Sequence, residues 1–256
     1  MKLSQVGAQL YTVRDHLKTP SEFAQTIDRL KSIGYRAVEL IHSETVNDHE
    51  IARICGAAGI AVAAAHIPDR SILEKPESVV EKLKVIGANI GVYAYPRGVN
   101  FASKSEVERL AGRLEQSAAF LKRNGLTLAY HNHALEFAHV GKERGYDLIR
   151  SRAKGLSFEL DAYWAQYGGM NPESLVRSLG NKLVALHLKD FGVASEHGGV
   201  PFMTEVGEGN LDFRMLIADA DRGGCQWFIV EQDVTPGDPF DSLERSFRYV
   251  RDQLAA

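Results

Sequence analysis

Eight short apolar runs, each followed by a stretch of helical period, recur along the chain at intervals of roughly 25 to 45 residues. They fall at 5–11 QVGAQLY, 36–41 RAVELI, 60–66 IAVAAAH, 89–95 NIGVYAY, 126–131 LTLAYH, 156–161 LSFELD, 182–189 KLVALHLK and 227–232 WFIVEQ. Between them the helical period is clearest from Ser105 to Asn124. There Val107, Leu110, Leu114, Ala118 and Leu121 form one stripe that Gly125 stops. Asn171-Pro172-Glu173 reads as a helix start, with a capping side chain, a proline in the first turn and an acid suited to the dipole. Strands alternating with helices imply a parallel sheet buried on both faces. Eight such units with no linker between them predict an α/β fold, a single closed (β/α)8 barrel spanning residues 1–256 as one domain.

Composition narrows the function classes. The chain is 45% hydrophobic and 25% charged, enough to bury a core without disulfides. A net charge of −3 offers no basic face for nucleic acid. No run of 18 apolar residues exists to span a membrane. The segment MKLSQVGAQLYTVRD has too short an apolar run for a secretory signal. Cys55 and Cys225 stand alone and read as free thiols of a reducing compartment, so a cytoplasmic location is expected.

In a (β/α)8 barrel the chemistry sits where strands finish, and side-chain alternation decides what points inward. In LSFELD, Phe158 and Leu160 share the face towards the helices, leaving Ser157, Glu159 and Asp161 on the inner one. In VALHLKD, His187 and Lys189 look inward; in WFIVEQ, Ile229 and Glu231 do. Asp161, His187 and Glu231 therefore finish three consecutive strands, which lie about 4.8 Å apart, close enough to grip one cation. Strand five ends in YHNHALEF, where alternation turns His131 inward, with His133 as a further candidate. Glu136 lies beyond that strand, within reach if the chain folds back. A mixed carboxylate and imidazole set suits Mn²⁺, Mg²⁺, Co²⁺ or Fe²⁺, with Zn²⁺ as an alternative. Glu39, His66, Gln9 and Tyr11 are further inward candidates for a polar mouth, and Trp164 with Tyr163 for the floor of a sugar ring. The glycine-rich loop 191–210, FGVASEHGGVPFMTEVGEGN, is long enough for a lid that would bring His197 over the substrate.

The ordered set GAQLYTVRD, YHNHALEF, ELDAYWAQYGG, HLKDF, VGEGNLDF and WFIVEQD resembles the xylose isomerase-like TIM-barrel superfamily, in its sugar phosphate isomerase/epimerase group. The resemblance runs over essentially the whole chain. It implies a divalent metal, often manganese, held by Glu, Asp, His and Glu from strands five to eight. Asp161, His187 and Glu231 match three of those positions, whereas His131 and Asn132 stand where ketose epimerases carry the first Glu. Glu136 is taken as the missing carboxylate, with His131 or His133 as the alternative. The expected substrate is a small keto-sugar or related polyol ketone. The metal would acidify its α C–H, and Glu136, His131 or Glu231 would take the proton. Lys189 would steady the enediolate, and His66, His133, Glu39, Trp164 and His197 would hold hydroxyls. An isomerase or epimerase is expected first. A lyase acting on a keto-inositol or 3-keto-sugar is the alternative, and a sugar-binding barrel without chemistry the third reading. An apurinic endonuclease would need three zinc ions and a basic groove, which the charge opposes. Paired barrels are common in similar families, which makes a homodimer one assembly to test, although the sequence itself carries no signal for it.

Overall fold

The computed structural model describes residues 1–255. Its centre is a closed barrel of eight strands: β1 Val6–Gln9, β2 Ala37–Leu40, β3 Ala61–Ile67, β4 Ile90–Tyr93, β5 Thr127–His131, β6 Ser157–Asp161, β7 Leu183–Leu188 and β8 Trp227–Val230. Every barrel pairing is parallel, and β1 closes the cylinder on β8 through Val6↔Phe228, Gly7↔Ile229 and Ala8↔Val230. Gly7 is needed at that seam, because a Cβ there would meet Ile229 Cδ1 at 2.9 Å and the Ala37 carbonyl oxygen at 3.3 Å.

Helices return each strand to the bottom of the barrel, and local chemistry fixes their starts. Thr19, Asn171 and Asp238 each accept a first-turn backbone N–H, and each is followed by a proline whose missing N–H costs nothing there. The long helix Lys104–Arg123 buries its stripe of Val107, Leu110, Leu114, Ala118 and Leu121. Outward residues such as Phe158, Leu160, Leu186 and Leu188 join the layer between sheet and helices. Inside the barrel, two small clusters, Ala64, Ile90, Val92, Ala129 and Val184, and Ala37, Ala63 and Ile229, make an apolar floor against which Trp227 packs. Polar side chains occupy the layers above that floor. Cys55 and Cys225 are buried free thiols, and burial pushes both up to about 12.

Two irregularities tune the inner layers. The ladder shifts register between Val38 and Glu39 and again between Phe158 and Glu159. After the second shift Asp161 stands level with His187, while Glu159 stands level with His131. Beyond β7 the chain forms an antiparallel hairpin, Asp190–Gly192 with Phe202–Thr204. Its root is fixed: buried Asp190 accepts the backbone N–H groups of Phe191 and Leu211 on Oδ1 and those of Gly207 and Gly209 on Oδ2. No helix among the described residues is long and apolar enough to cross a membrane.

Candidate metal centre and active-site pocket

Strand ends β5 to β8 bring His131, Asp161, His187 and Glu231 together, all buried, with one ligand atom from each within 4.8 Å of the others. His187 is the pivot. Its Nδ1 lies 2.9 Å from Glu231 Oε2 and 3.7 Å from Asp161 Oδ2, and His131 Nε2 lies 3.5 Å from the same Asp161 oxygen. A second group sits one layer deeper and shares that imidazole. His187 Nε2 is 2.8 Å from Glu39 Oε2 and 3.2 Å from Glu159 Oε2, while His66 Nε2 is 3.0 Å from Glu159 Oε2. Gln9 Nε2 donates to Glu39 Oε2 at 2.7 Å and holds that carboxylate from below.

Lys189 closes the arrangement from β7. Its Nζ is 3.1 Å from Asp161 Oδ2, 2.9 Å from Glu231 Oε2 and 2.8 Å from Asp233 Oδ1. Burial would lower this lysine, but the three carboxylates outweigh it and hold the pKa well above the ordinary value. The same contest favours charge on its partners. Burial raises Asp161 and Glu231, yet Lys189 and the neighbouring imidazoles pull both below the usual carboxylate range. His187 is raised by Glu159, Glu231 and Glu39 against its own burial. Burial and then Glu159 push Glu39 up to about 7. Burial drives His133 down to about 2, so its ring is neutral.

A divalent cation fits this donor set. His131 Nε2 and Asp161 Oδ2 are buried without an aligned hydrogen-bond partner among the described residues, although each belongs to the converging group. Charge points the same way. Five carboxylates, Glu39, Glu159, Asp161, Glu231 and Asp233, meet the ammonium of Lys189 and two raised imidazoles, His66 and His187. Carboxylates thus outnumber the cationic side chains in the cluster, a setting that favours a bound cation. Two imidazoles with two carboxylates accommodate several first-row divalent metals.

Three expectations change. Glu136 does not join the cluster: the short turn Leu135–Phe137 points it at the outer layer, where it accepts from Tyr130 Oη at 3.0 Å and His133 N at 2.9 Å. His131 stands in the place kept for it. His197 is not among the residues lining the cavity; it sits in the hairpin loop with its ring 4.2 Å from that of Phe202. Glu39 lies beneath the cavity and not on its wall, because β2 presents it one layer down against His187 and Gln9. His66, His131, His133, Lys189 and Glu231 do line the cavity, which has a volume of about 430 Å³. Trp164 backs it, its ring 5.6 Å from that of His133 and 5.6 Å from Lys189 Nζ. Asp233 was not anticipated, although it follows Glu231 by two residues and alternation alone would have turned it the same way.

A family model described as xylose isomerase-like TIM barrel matches residues 27–253. The chain belongs to that family. Within the xylose isomerase-like barrels, a sugar phosphate isomerase/epimerase from Parabacteroides distasonis superposes with a TM-score of 0.80 at 18% identity, covering 98% of this chain and 94% of that one. The probable 3-DHS dehydratase of petrobactin synthesis from Bacillus anthracis gives 0.74 at 12%, over 99% and 100%. A xylose isomerase-like barrel from Mycobacterium smegmatis in complex with magnesium gives 0.76 at 11%, over 99% and 98%. At these identities the likeness is one of fold. No curated protein matches the sequence significantly.

Proposed function

We propose that the protein is a divalent-metal-dependent enzyme of the isomerase/epimerase type acting on a keto-sugar or related polyol ketone through an enediolate. The observation that carries this reading is the convergence of His131, Asp161, His187 and Glu231 beside an open cavity, with Lys189 alongside. When bound, the metal supplies Lewis-acid polarisation of the ketone and its neighbouring hydroxyl. The chain supplies the rest. Lys189, held as an ammonium by three carboxylates, donates to the oxygen on which enediolate charge develops. Asp233 lines the same cavity without belonging to the four-residue set, and burial raises its pKa, which suits a carboxylate that takes the α-proton. His66, also on the cavity wall, is raised by Glu39 and Glu159 against its burial and is placed to return a proton.

A second reading has its own support. Asp233 and His66 are unlike groups, one a carboxylate and one an imidazole disposed to carry a proton. Such a pair suits elimination, in which the acid protonates a departing β-hydroxyl, as well as it suits epimerisation. The dehydratase of similar fold is in keeping with that alternative.

The experiment is elemental analysis of purified protein, then α-proton exchange in D₂O with a panel of keto-sugars and an inosose. Asp161→Ala or His187→Ala is expected to lose bound metal and exchange together. Retention of both by either variant would overturn the proposal, and absence of both from the wild type would leave a binding barrel. Loss of a β-hydroxyl from the exchanged ketone would select the lyase.

A further inference from the structure

Asp161 divides its polar groups between the fold and the cation cluster. Its backbone N–H donates to Asn132 Oδ1 at 3.0 Å, and its carbonyl oxygen accepts from Asn132 Nδ2 at 3.3 Å. Its Oδ1 accepts the N–H of Trp164 at 2.8 Å and so caps the short helix Ala162–Tyr167. Only Oδ2 has no aligned hydrogen-bond partner among the described residues. That oxygen is the one 3.1 Å from Lys189 Nζ, 3.5 Å from His131 Nε2 and 3.7 Å from His187 Nδ1.

Asn132 supplies what the neighbouring strand does not. The ladder between β5 and β6 pairs Ala129 with Ser157, Tyr130 with Phe158 and His131 with Glu159, and it ends there. Past that point the Asn132 side chain takes over from the backbone. A carboxamide carries an acceptor and a donor on one planar group, as a peptide does, so it answers both backbone groups of Asp161 together. An aspartate of the same size accepts only, and a serine presents a single atom. The clasp is also held from behind. Asn132 and Asp161 are both fully buried, and the next residue, His133, donates its N–H to Glu136 Oε2 at 2.9 Å, which anchors the turn after β5.

We infer that Asn132 is a positioning residue of the metal centre, acting through Asp161 and resting on the metal site proposed above. Its amide fixes the Asp161 backbone where β6 ends, and the Trp164 N–H fixes one carboxylate oxygen. Oδ2 is then the single oxygen free to serve as a ligand, and its direction is set before any ion arrives. Without the clasp, the buried N–H and carbonyl of Asp161 lose their partners and the residue can turn to find others. The aim of Oδ2 would be lost with it. The same brace ties the ligand to the indole that backs the cavity, because Asp161 caps the helix that carries Trp164.

The test compares wild type with Asn132→Ala, Asn132→Asp and Thr19→Ala. Mn²⁺ affinity is measured by chelator competition, and the visible spectrum of the Co²⁺-saturated protein reports ligand geometry. Asn132→Ala is expected to weaken Mn²⁺ binding by about 10- to 100-fold. Asn132→Asp keeps the size and the acceptor for the Asp161 N–H but not the donor, and covers the case in which the alanine variant does not fold. Its Co²⁺ spectrum is expected to differ from that of wild type at saturation. Thr19→Ala removes a cap remote from the cluster, and so controls for lost stability; it is expected to match wild type in both measurements. Asn132 variants that bind Mn²⁺ as wild type does, with the same Co²⁺ spectrum, would overturn the inference and leave the metal site standing. So would a Thr19→Ala variant that changes both as much as they do. A wild-type protein that binds no metal would overturn the site and the inference together.

Discussion

Glu39 Oε2 lies 2.8 Å from His187 Nε2, so the imidazole is tied down on the side away from Asp161 and Glu231. A carboxylate in that position accepts a hydrogen bond from Nε2–H and leaves Nδ1 to face the converging group, which orients the ring and raises its basicity as a ligand. Glu39→Gln is therefore expected to keep the fold and weaken Mn²⁺ affinity by about 10- to 100-fold, measured by competition with a fluorescent chelator. Unchanged affinity would show that Glu39 does not position the ligand.

His131 and Glu136 lie five residues apart and are separated by the barrel wall. His131→Ala is expected to abolish stoichiometric metal, because it removes one of four converging donors. Glu136→Gln is expected to retain it, since that side chain serves Tyr130 and the His133 backbone. Metal-to-protein ratios by elemental analysis separate the two, and metal loss in the glutamine variant would return Glu136 to the ligand set.

Glu136 has a stability signature of its own. Burial, opposed by its hydrogen bonds, pushes its pKa from 4.5 up to about 7. A carboxyl raised on folding contributes stability that is present below the unfolded pKa and lost as pH climbs to the folded one. Between about pH 4.5 and 7 the unfolded chain gives up this proton first, at a cost to the native state of about 3 kcal/mol. Glu136→Gln can donate to Tyr130 Oη and accept from His133 N, and it cannot ionise. Urea denaturation is expected to show the variant gaining on wild type as pH rises from 5 to 7.5. A difference independent of pH would refute this.

Asp190 holds the root of the hairpin by accepting four backbone N–H groups, and Gly209 packs so closely that a Cβ there would overlap its carboxylate. Asp190→Ala leaves those donors without their acceptor and is expected to destabilise by about 3 kcal/mol. Limited proteolysis should then cut within 193–211 before the rest of the chain. Wild-type resistance in the variant would mean that other contacts hold the loop.

Period and alternation carried most of the architecture in the sequence. Runs such as LSFELD and KLVALHLK separate outward leucines from inward acids and imidazoles without any knowledge of the fold, and Asp161, His187 and Glu231 face the interior as the alternation has it. The failures fall where alternation ends. Glu136 sits in a 3₁₀ turn, where no strand parity applies and its direction is set by two local donors, Tyr130 Oη and His133 N. His197 is in a loop whose course depends on Asp190, 17 to 21 residues from the glycines and leucine that it binds further along the chain. The depth of Glu39 depends on a register shift beside it, and a bulge of that kind leaves no mark in a hydrophobic pattern. Asp233 was missed for a simpler cause, since it lies beyond the run read as the last strand, 227–232, and beyond β8 itself, which ends at Val230.

The shared imidazole has an evolutionary corollary. His187 meets Asp161 and Glu231 through Nδ1 and Glu39 and Glu159 through Nε2, so neither layer is free to vary by itself. A lineage built this way is expected to change these positions in concert or to keep them all.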